Sequence, residues 1–200
     1  MSFPMLTQAQ NQKRGKRLGL SIASYRRGSR FYSEEFPAWK NALDVLDHCK
    51  SLKAGCLQIG VRGWTRDFAG KVRERRENLD IRLEGQISLP RKDSDIDRFD
   101  ETVRMAKEAG ATVLRTVCLG GRRYETFKKL EDWQHFRTQS WESLVRAEKI
   151  VRQHGVKLAF ENHKDWRSHE QLDLLHRLSS ESVGVCFDFG NNVSLLEDPH

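Results

Sequence analysis

From residue 18 onward, short apolar runs alternate with longer stretches in which apolar residues recur at helical spacing. The short runs predict strands over residues 18–23, 56–60, 81–89, 112–119, 156–161 and 183–189. The stretches between them predict helices over 39–52, 67–79, 95–109, 139–153 and 169–178. The stripe Ile96, Phe99, Val103 and Ala106 marks one of these faces as core, and its helix stops before Gly110. The helix carrying Trp141, Leu144, Val145 and Ile150 stops in the same way before Gly155, where a residue tolerant of positive φ belongs.

Regular alternation of strand and helix predicts a parallel sheet covered by helices. Two architectures compete. A doubly wound sheet would place a glycine-rich phosphate loop after the first strand, and SIASYRRG has no GxGxxG pattern. A (β/α)8 TIM barrel fits better. In residues 81–89 the apolar Ile81, Leu83, Ile87 and Leu89 alternate with Arg82, Glu84, Gln86 and Ser88, and such a polar inner face needs a barrel mouth for partners and solvent. Six βα units of about 33 residues are present, so the expectation is about six units of eight, with strands seven and eight beyond His200. A barrel open on that side would leave exposed edges prone to association, which predicts closure by further chain or a homo-oligomer.

Composition narrows the function classes. The 200 residues carry a formal charge of +7, of which Lys13, Arg14, Lys16 and Arg17 supply 4 with no acid in residues 1–17, leaving +3 for the rest. That segment reads as a disordered basic arm, the domain as 18–200, and the basic surplus gives little support to a nucleic-acid partner. No stretch is apolar enough to span a membrane, and mean hydropathy is −0.70. The arm lacks a secretory signal's apolar core, and Cys49, Cys56, Cys118 and Cys186 show no CxxC spacing, so reduced thiols and a cytoplasmic location are expected.

Chemistry concentrates at two strand ends. Glu161 closes an apolar run and His163 follows with the same parity, so period-two alternation sends both to one side. Asp188 closes the next run in VCFDFGNN. Parallel neighbours lie roughly 5 Å apart, and two carboxylates so placed call for a cation or a shared proton. The plainer alternatives stay open: a strand-ending acid also serves as a turn or helix cap, His163 as a hydrogen-bonding rim residue, and Gly190-Asn191-Asn192 as a turn. Arg115 interrupts the strand TVLRTVCL and requires a partner, either Glu84 or Glu161. Tyr25, Arg26, Trp64, Glu84, Arg115, Arg122 and Asn191 form the candidate substrate-contact set, with Trp166 a second candidate stacking ring. Residues 120–138 exceed an ordinary βα turn and suggest a lid.

ENHKDW, followed by VCFDFGNNVSLLEDP, resembles the xylose-isomerase-like TIM-barrel superfamily of sugar phosphate isomerases/epimerases, ketose 3-epimerases, inosose dehydratase and endonuclease IV. The resemblance implies that Glu161 and Asp188 are the metal-binding acids of strands five and six, with a histidine and a glutamate from strands seven and eight completing the site. It implies a divalent cofactor (Mn, Mg, Co or Zn) and a small sugar or sugar acid, including anionic ones, as substrate. The implied reaction is isomerisation or epimerisation by proton transfer next to a carbonyl, through a metal-stabilised enediolate, with Glu161 and His163 as catalytic residues. Asn191 stands where the ketose epimerases often carry a histidine, which leaves a dehydratase or decarboxylase of an oxo-sugar acid as an alternative. An endonuclease IV-like enzyme would need histidines near the second and third strand ends, and QIGVR and QIS hold none. A non-catalytic sugar-binding barrel is the remaining alternative.

Overall fold

The computed structural model describes residues 18–25, 33–34 and 38–198. The predicted arm and Arg26 lie outside them. Six parallel strands pair in chain order: β1 (Gly19–Ser21), β2 (Cys56–Gly60), β3 (Arg82–Gln86), β4 (Val113–Thr116), β5 (Lys157–Glu161) and β6 (Val183–Cys186). Between them run α1 (Ala42–Ser51), α2 (Arg66–Leu79), α3 (Ile96–Glu108), the short α4 (Arg123–Thr126), α5 (Leu130–His154) and α6 (Ser168–Leu178). Among the described residues β1 pairs only with β2 and β6 only with β5, so the sheet is open.

Local chemistry explains the boundaries. Asn41 and Thr65 cap α1 and α2 by accepting from Leu43 N (2.8 Å) and Phe68 N (3.2 Å). Gly155 ends α5 at φ 66°, in the left-handed region that a Cβ disfavours. Leu57, Leu83, Leu114, Leu158 and Phe160 point outward from the strands and are buried against Leu46, Val72, Val103, Leu144 and Val151 of the helices. Fully burying each such side chain is worth about 2 kcal/mol. No helix among the described residues is long and apolar enough to cross a membrane.

Several expectations need correction. The strands are shorter than the apolar runs, and past β6 a side chain takes the group that would extend the ladder. The Asp188 amide donates to Asn162 Oδ1 at 2.7 Å, beyond the end of β6. The expected lid at 120–138 is mostly helix: α4 and the first two turns of α5 occupy it. Trp133 and Phe136 of that extension pack against Phe127 and Trp166, with ring centroids 5.1–5.5 Å apart. Trp166 is fully buried in this cluster and cannot stack on a substrate.

Candidate functional site

Strand register sorts the inner face into rows. One row holds Ser21, Gln58 and Glu84; the next holds Gly60, Gln86, Arg115, Ala159 and Gly184; the third holds Glu161 beside Cys186. Gln86 Nε2 donates to Gln58 Oε1 (3.0 Å) and Ser21 Oγ (3.4 Å), and Gln58 Nε2 donates to Glu84 Oε2 (3.1 Å). These half-buried amides and hydroxyls form a ladder across β1–β3.

Across β4–β6 the face is charged. Arg115 meets Glu161, not Glu84. Its Nε donates to Glu161 Oε2 at 2.5 Å, and Nη2 reaches the same oxygen. The side chains are 19% and 11% exposed, so water screens this pair little. The other carboxylate oxygen accepts from Asn191 Nδ2 at 3.2 Å. Asn191 also gives its backbone N–H to Asp188 Oδ1 (3.0 Å), which accepts from Gly190 N as well (2.8 Å). Buried Asn191 therefore links the two acids, and Asp188 caps its own turn while keeping Oδ2 without a partner among the described residues.

The sequence motifs contain further residues that the strand-end reading missed. Asn162, fully buried, pairs with Asp188 like a backbone amide: its Nδ2 donates to the Asp188 carbonyl (2.9 Å) and to Asn192 Oδ1 (2.8 Å). Asn192 continues to Ser168 Oγ (2.9 Å), and the Ser168 amide donates to Glu197 (3.0 Å). Gln171 Nε2 reaches back to the Phe160 carbonyl at 3.0 Å. Asp165 is fully buried and accepts from the amides of Trp166 (2.9 Å), His163 (3.0 Å) and Leu119 (3.1 Å). Burial pushes its carboxyl up from 3.8 to about 6, although those three amides pull the other way. A cluster of uncharged or singly charged polar residues just past a buried strand was the available signal.

Other candidates are placed elsewhere. His163 lies past the end of β5 and turns its Nδ1 to the Leu119 carbonyl (3.1 Å). Tyr25 joins an aromatic cluster with Trp39 and His48, and its hydroxyl lies 3.4 Å from His48 Nε2. Trp64 packs edge-on against Phe68 (5.4 Å). Arg122 is exposed and pairs with Glu125 at 2.7 Å, a solvated contact. Burial raises the thiols of Cys49 to about 11 and of Cys56 and Cys118 to about 12, so these three stay protonated near neutrality.

Cys186 senses the whole rim: burial raises its thiol, Glu161, Glu84 and Asp188 add to that effect, and Arg115 opposes it. Three carboxylates against one guanidinium leave a formal −2 around it. Carboxylate oxygens with that surplus suit a hard divalent cation. Among the described residues, however, no group of three or more His, Cys, Asp or Glu stands within metal-binding reach. Glu161 and Asp188, joined through Asn191, are two carboxylates and fall short of such a group.

A parallel sheet of six strands in chain order, with an outer helix layer and acids at its C-terminal rim, is the architecture of part of a TIM-class barrel. The fold is shared with a D-psicose 3-epimerase crystallised in the presence of D-fructose (TM-score 0.69, 12% identity, 90% of this chain and 65% of that one). It is shared too with an L-ribulose 3-epimerase (TM-score 0.62, 12% identity, 88% and 61%). Residues 85–199 match the xylose isomerase-like TIM barrel family, and the chain belongs to it. It is 30% identical over 125 residues to YihM of Escherichia coli (strain K12), an uncharacterized protein, covering 62% of this chain and 34% of that one. The chain thus spans about a third of that curated relative and under two thirds of these two epimerases.

Proposed function

We propose that the chain carries the β1–β6 part of a sugar isomerase or epimerase, acting on a small sugar or sugar acid by proton transfer at a carbon next to a carbonyl. The observation that carries this reading is Glu161. It is buried at the C-terminal end of β5, on the inner face, with its carboxylate aimed by Arg115 and Asn191 beside a ladder of amides and hydroxyls.

In this reading the ladder of Ser21, Gln58 and Gln86 exchanges hydrogen bonds with substrate hydroxyls and fixes the reacting carbon against Glu161. Glu161 accepts the proton; the C–H electron pair moves into the adjacent carbon–carbon bond and the carbonyl oxygen takes up the negative charge. Return of a proton to the opposite face gives an epimer, and to the neighbouring carbon an isomer. Glu161 and Asp188, with further ligands, would hold a divalent cation, and the chemistry that cation would supply is polarisation of substrate oxygens. Arg115 and Asn191 hold the Glu161 carboxylate in place. The folds of the D-psicose and L-ribulose 3-epimerases support the substrate class.

The test is proton NMR in heavy water with added Mn2+ or Mg2+, across a panel of ketoses and oxo-sugar acids. Deuterium entering a carbon next to the carbonyl, and lost in Glu161→Gln, is the expected result. Absence of exchange across the panel, or exchange that survives Glu161→Gln, overturns the reading.

A further inference from the structure

We propose that the cavity between the loops after β3 and β4 and residues 132–143 of α5 is a second ligand site, built for a small sugar acid that sets its carboxylate on Arg91 and its hydroxyls on Asp132, Gln139 and Ser143. It is separate from the Glu161 rim and does not depend on the reaction proposed there.

The cavity measures about 540 Å³, within the range of small-molecule sites. No residue of the inner-face ladder or of the charged cluster around Glu161 lines it. Its walls are fixed in place. The Ile87 amide donates to the Arg115 carbonyl at 3.0 Å, and Leu119 is held at both polar groups, its amide by Asp165 (3.1 Å) and its carbonyl by His163 (3.1 Å). A hollow that stands before its ligand arrives lowers the ordering cost of binding.

The polar groups facing this hollow are uncommitted. Ser143 is 4% exposed, and its hydroxyl has no hydrogen-bond partner among the described residues. A buried hydroxyl left in that state is unfavourable until something completes its bonds. Arg91 reaches the same space: burial raises the Cys118 thiol that lines the cavity, and the Arg91 guanidinium is near enough to pull the other way. Among the described residues no acceptor holds that guanidinium, and the side chains of Asp132, His135 and Gln139 on α5 likewise have no hydrogen-bond partner.

These groups define the ligand. A guanidinium fork matches a carboxylate through two parallel N–H donors. Asp132 accepts, while Gln139 and Ser143 both donate and accept, which suits the neighbouring hydroxyls of a polyol. Half-buried Phe127 and Phe136 add apolar wall for the C–H side of such a molecule. Arg91 against Asp132 leaves no surplus of formal charge while His135 is neutral, so a single carboxylate is matched better than a phosphate dianion.

Isothermal titration calorimetry of the full chain with D-gluconate tests this, with D-glucitol and D-glucose 6-phosphate as the neutral and phosphate comparisons. Gluconate is expected to bind with a Kd below about 1 mM, and the other two at least about 10-fold more weakly. Arg91→Gln is expected to weaken gluconate by about 10-fold or more and Ser143→Ala by about 3-fold, whereas Glu161→Gln leaves its affinity within about 2-fold. No binding of gluconate at about 10 mM, equal binding of glucitol, tighter binding of glucose 6-phosphate, or a loss in Glu161→Gln as large as that in Arg91→Gln overturns the proposal. A measurement on the parent needs no variant to fold. In nitrogen-edited NMR, gluconate is expected to shift the Arg91 Nε–H and the Gln139 side-chain amide and to leave the Arg115 Nε–H in place; shifts confined to Arg115 put the ligand on the rim and overturn the proposal. A chain that exchanges sugar protons at Glu161 yet binds no gluconate keeps the proposed reaction and loses only this inference.

Discussion

Along β1–β3 the inner face carries Ser21, Gln58 and Gln86, joined through amide and hydroxyl bonds of 3.0–3.4 Å, with Glu84 at the end of the chain of contacts. Along β4–β6 the same sheet carries an Arg–Glu pair, an asparagine spanning two acids and a fully buried Asn162 that clamps the neighbouring strand end. The two halves have one backbone geometry and opposite energetics. A neutral ladder can trade its partners for a substrate's hydroxyls at little cost, whereas a buried charged pair cannot lose one member cheaply. In the proposed reaction, binding and chemistry are therefore separable by mutation.

The largest effect is expected on the charged side. Arg115→Met leaves Glu161 buried and unpaired and should cost about 4 kcal/mol in metal-free urea denaturation. A loss below about 1 kcal/mol would mean that the pair is no more than a solvated contact, and the contrast between the halves would fall.

Next comes Asp165, which fastens the β5–α6 connection to the loop after β4. Its folded-state pKa of about 6 lies above the ordinary 3.8. Folding therefore favours its protonated form: the stabilisation is fully present below about pH 4 and is lost as pH rises through about 6, by about 3 kcal/mol. Asp165→Asn does not titrate. The stability of the parent minus that of the variant should fall by about this amount between pH 4 and pH 7, measured by urea denaturation at each pH. A difference that does not change with pH would show that Asp165 is not the buried, raised group described here.

The smallest stability effect belongs to the neutral half. Gln58→Leu should change stability by less than about 1 kcal/mol, since its partners Glu84 and Gln86 remain reachable by water. It should raise KM for an active sugar while leaving kcat within about threefold; a collapse of kcat with KM unchanged would place chemistry on this side.

How far the sequence foretold this arrangement depends on the kind of signal. Alternation in residues 81–89 announced the polar inner face, because in a parallel sheet parity alone decides which way a side chain points. The same logic found Glu161, and the isolated charge in TVLRTVCL demanded the partner that Arg115 has. Parity lapses once the strand ends. His163, matched to Glu161 by counting, is turned to the Leu119 carbonyl by the tight turn at residues 161–165. Asp188 caps its turn through Oδ1, the plainer of its readings, while Oδ2 has no partner among the described residues. The start of α5 was hidden because residues 130–138 are mostly polar, with Trp133 and Phe136 the aromatic residues that pack there. Asn162 and Asp165 went unnoticed because their partners are mostly backbone amides and carbonyls of loops, which a residue pattern does not display.

The account's central claim is that the charged half moves the proton and the neutral half holds the sugar. Deuterium incorporation from heavy water at saturating sugar, compared in Glu161→Gln and Gln58→Leu, tests it most directly. The predicted result is a loss of at least 1000-fold in Glu161→Gln, worth about 4 kcal/mol of transition-state stabilisation, and a rate within threefold of the parent in Gln58→Leu. Equal losses in both variants, or a larger loss in Gln58→Leu, would contradict it.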